Sequence, residues 1–296
     1  MLKSFEELRG RVSADTSKTI VVAAAHEEHT LDALYSAAKQ LPIHYILVGN
    51  REKINNISSK LGQTPAADTI VDAEDNADCA AKAVELIRAG RGDVLMKGIL
   101  ETGTLLRAAL NKDTGIRDSG IMSHFIFLQV PNYHKLIGVT DGGMTPHPTL
   151  EQKADIVRNT AQFYKRLGIS QIKVAALCAS ETVSPKIQET VDAAELQAMC
   201  ERGELGSGCL LEGPLSFDIA ISRESAEIKG HPSVISGDTD VLLVPNITVG
   251  NALAKGLTYW GGAIMAGCIL GAKVPIILIS RASTTEEKFY SIMMCC

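Results

Sequence analysis

The sequence predicts an α/β protein built on a largely parallel sheet, and three observations carry that prediction. Short β-branched runs of strand length recur along the chain. Longer segments of helical period separate them. The apolar content leans on Ala, Val, Ile and Leu, with aromatics at only 4% of 296 residues. Strands alternating with Ala-rich helices bury a parallel sheet on both faces, so such strands read as continuous apolar runs.

In chain order the strand-like runs are TIVVAAA, HYILVG, DVLMKG, FIFLQV, KLIGVTD, KVAALCA, VLLVPN and VPIILIS. Residues 75–88, ahead of the third run, carry Ala77, Ala80, Ala81, Val84 and Ile87 at helical spacing. Residues 149–167 carry Leu150, Ala154, Val157, Ala161 and Tyr164 behind Thr149 and Gln152, the residue pair of a capping box. A further helix is expected from Ser184 as N-cap, with Pro185 in its first turn and Ile187, Val191, Ala194 and Ala198 on one face. Two glycines and two prolines in TDGGMTPHPT, residues 140–149, mark a domain seam. The expected organisation is two α/β domains with a cleft between them. Residues 1–140 plus 274–296 form the first, and 141–273 form the second, inserted before a final return strand.

A formal net charge of -5 excludes a broad basic face for nucleic acid, although a few local cations suffice for a small anion. The first residues, MLKSFEELRGRV, mix charges of both signs and lack a small-residue cleavage site. The longest apolar stretch, AIMAGCILGAKVPIILIS, is broken by Lys273 and Pro275 and falls short of the roughly 20 residues a membrane helix needs. Seven cysteines without paired spacing then point to reduced thiols and a cytoplasmic location.

Four constellations carry candidate chemistry. In SRASTTEEK, directly after the last strand, Ser280 and Arg281 stand at a strand's carboxyl edge with Glu286 and Glu287 just downstream. Hydroxyl, guanidinium and carboxylate can hold phosphate, neutralise an oxyanion and take a proton from a thiol. Spacing alone favours a helix start, with Ser or Thr caps and first-turn carboxylates. In MKGILETGTLLRAALNK a strand ends at Lys97 and Gly98, and a helix begins near Thr102 and carries Arg107. That turn could receive an anion, with Lys112 and Arg117 adding positive potential, or its basic residues could simply be solvated. HEEH, residues 26–29, misses the spacing of a zinc helix and reads as a solvated helix start. Asp218 in EGPLSFDIAIS faces a cleft or caps a helix; the residues leave both open. His124 and His147 read as structural, and Cys178 as a buried thiol rather than a nucleophile. No dinucleotide fingerprint, P-loop or serine elbow is present.

Five segments together, LMKGILETGTLLRAALNKDTGIR, MSH, EGPLSFDIAIS, GDTDVLLVPNITVGN and VPIILISRAS, resemble the phosphate acetyltransferase and phosphate butyryltransferase family. The resemblance spans nearly the whole chain, and the LNK, GIR and MSH stretch is similar to the butyryl branch. It implies two α/β/α domains resembling the isocitrate and isopropylmalate dehydrogenases, a homodimer, and no metal or bound cofactor, coenzyme A being a substrate. It implies an acyltransferase that interconverts acyl-CoA plus phosphate with acyl phosphate plus CoA. Carried over, Ser280 and Arg281 match the pair that holds the reacting groups, and Arg107 matches an arginine that contacts coenzyme A. The acetyl branch places its base, an aspartate, seven residues after the serine, where Glu287 stands here. Butyryl-type sequences carry a glutamate at the Glu286 position, so the base is one of these two neighbours.

Overall fold

The computed structural model of the chain describes residues 2–12, 17–118, 120–278 and 283–296. Two compact units emerge: a flanking unit, Glu6–Ser119 with Ala266–Cys296, and an inserted unit, Gly120–Met265 with Met1–Phe5. Along the chain the elements begin α1 (Phe5–Arg9), β1 (Lys18–Ala23), α2 (Glu28–Ala38), β2 (Ile43–Gly49), α3 (Arg51–Lys60), β3 (Ile70–Asp72), α4 (Asn76–Arg88), β4 (Val94–Lys97) and α5 (Thr102–Ala109). There follow β5 (Ser123–Gln129), β6 (Ile137–Thr140), α6 (Leu150–Arg166), β7 (Ile172–Leu177), α7 (Gln188–Glu201), β8 (Cys209–Leu215), α8 (Phe217–Ile221), α9 (Arg223–Ile228), β9 (Val241–Leu243) and α10 (Ile247–Tyr259). The chain closes with β10 (Ile264–Leu270), β11 (Ile276–Ile277) and α11 (Thr285–Met293).

The flanking sheet runs in the order β3-β2-β1-β4-β11-β10, parallel except where β10 meets β11. Its centre is β1, which pairs Val21 with Ile46 on one side and with Leu95 on the other; Ile20, Val21, Val22 and Ala23 are fully buried. A strand covered on both faces needs no polar face, which is why its sequence is a continuous apolar run. The inserted sheet runs in the order β5-β6-β9-β7-β8, parallel apart from the β5–β6 hairpin. Phe125 and Phe127 of β5 meet Phe163 and Tyr164 of α6 with ring centroids 4.8 to 6.5 Å apart, so one patch gathers much of a small aromatic complement.

The mixed α/β class follows the sequence pattern, and so do the helix starts near residues 28, 76, 102 and 150. Glu27, Asn50, Asp75, Thr149, Asn246 and Thr284 each accept a backbone N–H from the first turn of their helix. The Thr149–Gln152 capping box forms as read. Three readings need correction. The compact units divide at 119/120 and 265/266, against expected seams at 140/141 and 273/274. The cause is pairing: β5 and β6 form a hairpin, β6 continues parallel to β9, and β10 joins β11. Helix α7 starts at Gln188 instead of the Ser184 cap, because Ser184 and Pro185 lie in a turn that Thr190 braces through its hydroxyl. Its buried face is accordingly Thr190, Ala193, Leu196 and Met199, and Ile187 is exposed. The final apolar run is a two-residue strand, β11, preceded by β10 in what reads as one stretch of sequence.

Among the described residues no helix is long and apolar enough to cross a membrane.

Candidate active site

Strand β11 lies beside β4 in parallel, Ile276 opposite Leu95 and Ile277 opposite Met96, so two segments far apart in sequence leave the flanking sheet side by side at its carboxyl edge. Ligand sites in open α/β sheets lie at that edge. Ser280 and Arg281, which follow β11, lie outside the described residues.

The acids downstream are within them, and they differ. Thr284 caps α11 through a capping box: its Oγ accepts the Glu287 N–H at 3.1 Å, and the Glu287 carboxylate accepts the Thr284 N–H at 2.9 Å. Glu287 is buried there. Glu286 stands outside the cap, exposed, and its carboxylate takes a hydrogen bond from the Tyr290 hydroxyl one turn on. Burial first, and then the charge of Glu286, push the Tyr290 phenol above its ordinary pKa. The sequence leaves a choice between helix start and chemistry for this run; Glu287 takes the first role and Glu286 keeps an open face.

On the neighbouring strand, Lys97 turns its ammonium back onto its own turn, Nζ donating to the Gly98 carbonyl at 3.0 Å and the Leu100 carbonyl at 3.2 Å. Gly98 packs against the end of β1 so tightly that a Cβ would lie 2.1 Å from the Ala24 carbonyl oxygen. Its N–H donates to the Ala23 carbonyl, and the next N–H to that of Ala24. Ala24 has a positive φ of 57°, a conformation that costs a residue with a Cβ some strain and that gathers at functional sites. Thr102 opens α5, exposed, after Glu101, whose side chain makes no cap.

Arg107 projects from α5 into a groove of about 490 Å³ between α4 and α5. Arg88 and Glu85 stand on the α4 wall and Asn111 on the other, over a floor that includes Ala77, Ala81 and Ala108. Neither arginine has an ion-pair partner among the described residues, and both are exposed. The sequence reading treats Ala77, Ala80, Ala81 and Val84 as a core stripe; in the structure that stripe splits. Ala80 and Val84 are buried, whereas Ala77 and Ala81 open onto the groove. Small side chains leave room for a flat ligand between two guanidinium groups.

The inserted unit has organised loops of its own. Asp141 is buried and its carboxylate accepts the N–H groups of Gly143, Met144 and Thr145, shaping the TDGGMT turn. His124 lies beside it, with Nδ1 buried and unpartnered, and desolvation lowers its pKa against the opposing charge of Asp141. Asp218 neither caps α8 nor sits alone: Ser216 and Lys229 hydrogen-bond it, and those bonds hold its carboxyl down at about 2. Cys178 is a structural thiol, pushed up to about 12 by burial and donating to the Glu189 carbonyl. HEEH is a helix start, with Glu27 accepting from His29 and Thr30. Among the described residues no three His, Cys, Asp or Glu side chains gather as a metal would require.

Comparison with known proteins places these features in a family. The phosphate acetyl/butaryl transferase family matches residues 74–296. A phosphate butyryltransferase of Clostridium acetobutylicum is 38% identical over 294 residues, covering 99% of this chain and 97% of its own. Among solved structures, a branched-chain phosphotransacylase from Enterococcus faecalis V583 superposes with a TM-score of 0.82 at 32% identity, covering 94% of this chain and 97% of that one. A 4-hydroxythreonine-4-phosphate dehydrogenase from Klebsiella pneumoniae shares the fold at a TM-score of 0.55 and 12% identity, covering 95% and 98% of the two chains.

Proposed function

The chain belongs to the phosphate acetyl/butaryl transferase family, and from that premise we propose that it moves a short acyl group, butyryl in first place, between coenzyme A and inorganic phosphate. The observation that carries the reading is Arg107, the residue matched to a coenzyme A contact, standing with Arg88 on the walls of an alanine-floored groove. Coenzyme A ends in an adenosine nucleotide, flat on one side and anionic on the other. Guanidinium forks bind phosphate in two-point contact, and small residues let a ring approach.

The chemistry then assigns the acids. In the direction of acyl phosphate formation, a phosphate oxygen attacks the thioester carbonyl and the sulfur leaves with the bonding pair. In the reverse direction the CoA thiol must lose its proton, and a free thiol with a pKa of about 8.5 is mostly protonated at neutral pH. A carboxylate within reach accepts that proton as attack begins. We assign this role to Glu286, since the Glu287 carboxylate is held in the α11 cap. The family match gives Arg281 the task of stabilising the tetrahedral oxyanion, where a lost donor costs about 3 to 4 kcal/mol. Ser280, in the same reading, holds the reacting groups, and Lys97, Gly98 and Thr102 form the turn that binds coenzyme A or phosphate. The reaction needs no bound cofactor.

Ile228, Val234, Tyr259 and Trp260 of the inserted unit are exposed, Trp260 at 95%. Apolar side chains of that size in contact with water support a homodimer that covers them.

A thiol-release assay with phosphate, run across acetyl-, propionyl-, butyryl- and isobutyryl-CoA, tests the reading. The expected result is turnover that peaks at four carbons and falls by about tenfold or more for each methylene removed, since one methylene is worth about 1 to 3 kcal/mol. A peak at acetyl-CoA would move the chain to the acetyl activity; no turnover with any of the four would refute acyltransfer.

A further inference from the structure

Seven cysteines are spread along the chain, and two pairs of them meet in space. One pair is buried: Cys295 hydrogen-bonds Cys268 in the core of the flanking unit. The other sits in the inserted unit. Cys200 is the penultimate residue of α7 and Cys209 the first of β8. The Cys200 thiol donates to the Cys209 carbonyl at 3.1 Å, and the two side chains lie within hydrogen-bonding reach of each other.

The connection between them is short. Gly203, Gly206 and Gly208 all take positive φ, at 79°, 102° and 83°, to bring the chain round in a short span. Gly208 is pressed against the next segment so closely that a Cβ would sit 1.8 Å from the Ser170 carbonyl oxygen, which fixes Cys209 at the head of its strand. The two pairs differ in access. Both Cys200 and Cys209 are half-buried, and Cys209 lines a cavity of about 400 Å³ together with Lys173, Asp238 and Asp240. Cys268 and Cys295 have no such opening among the described residues.

We propose that Cys200 and Cys209 form a reversible dithiol–disulfide site, reached at their half-buried side chains and oxidised by small-molecule disulfides of the glutathione type. The Cys200 thiolate attacks one sulfur of the small disulfide, expelling the first small thiolate and leaving a mixed disulfide. Cys209 then loses its proton to solvent and displaces the second small thiolate, closing the Cys200–Cys209 bond. Two protein thiols give up two electrons and two protons, and one small disulfide becomes two small thiols. Burial first, and then the neighbouring Cys200, raise the Cys209 pKa, so closure is slow at neutral pH and quickens as pH rises. The new bond staples the end of α7 to the start of β8 and restricts the unfolded chain. Neither cysteine belongs to the groove or to the α11 cap, so turnover survives oxidation.

The test incubates the full chain with glutathione disulfide at mildly alkaline pH and maps unreduced peptides. The expected result is a free-thiol titre lowered by two from seven, one linked peptide joining Cys200 to Cys209, and a melting temperature raised by about 2 to 4 °C, all reversed by dithiothreitol. Cys200→Ser, expected to melt like the reduced protein, gives no linked peptide. An undiminished thiol titre would overturn the proposal. So would separate mixed disulfides that never close, a link between other cysteines, or an oxidised protein that melts no higher than the reduced one.

Discussion

Glu286 and Glu287 are adjacent in sequence, yet the start of α11 gives them different surroundings. The Glu287 carboxylate completes a capping box and is buried, so its negative charge stabilises the helix N-terminus. Glu286 is exposed and accepts from Tyr290, and its open face leaves a carboxylate oxygen for a thiol proton. Glu286→Gln should therefore lower kcat by at least about a hundredfold with the melting temperature unchanged. Glu287→Gln should cost about 1 kcal/mol of stability and leave kcat within a few fold. Steady-state rates beside thermal melts separate the two; a collapse of kcat confined to Glu287→Gln would exchange the assignments. The role proposed for Arg107 makes a different prediction, because it concerns binding. Arg107→Ala should raise KM for butyryl-CoA about tenfold or more and spare kcat, the signature of a contact made equally before and during reaction. The roles proposed for these residues come from family resemblance and could not be read from spacing. Spacing alone could not tell a cap from a base, since a carboxylate in the first turn after a run of hydroxyls can serve either purpose.

At the scale of elements, most of the fold could be read directly, because strands buried on both faces are continuous apolar runs and most helices start on a side-chain cap. The misses have physical causes. β8 contains Gly213 and Pro214, residues that demote a strand, and is tolerated because it closes its sheet at the edge. β10 and β11 form an antiparallel pair inside one apolar stretch, where nothing but the turn near Pro275 separates them. The groove was missed because the stripe of α4 reads as core until α5 is known to lie beside it. Tertiary pairing of helices also hides the ion pair that joins α6 to α7. Lys153 and Asp192 meet at 2.7 Å, both buried, and Gln188 donates to the second carboxylate oxygen. Removing one partner leaves a charge stranded in the core, so Lys153→Met should lose about 3 to 5 kcal/mol, read as a fall in the urea midpoint. Pairing it with Asp192→Asn should recover part of that loss. A double variant as unstable as the sum of the single ones would show that the two residues do not act as a pair.

At the scale of the whole molecule, the charge network at the amino-terminal edge of the inserted sheet predicts a response to acid. Burial by itself would raise the Asp238 pKa; hydrogen bonds from Lys135 and Lys173 outweigh it and hold the carboxyl well below the usual carboxylate range. A carboxyl whose folded pKa is depressed contributes stability that is full above its unfolded value, about 3.9, and that is lost as pH falls through the folded one. The wild-type melting temperature should thus drop steeply below about pH 4, and Asp238→Asn, less stable at neutrality, should show a shallower drop. Parallel curves would assign acid sensitivity elsewhere.

The account rests on acyl transfer to phosphate, and its stoichiometry is the most direct measurement. Butyryl-CoA incubated with the protein and inorganic phosphate should release one thiol for each butyryl phosphate trapped as hydroxamate, and none when phosphate is omitted. Thiol release that continues without phosphate, or that yields no acyl phosphate, would make the protein a thioesterase and contradict the account.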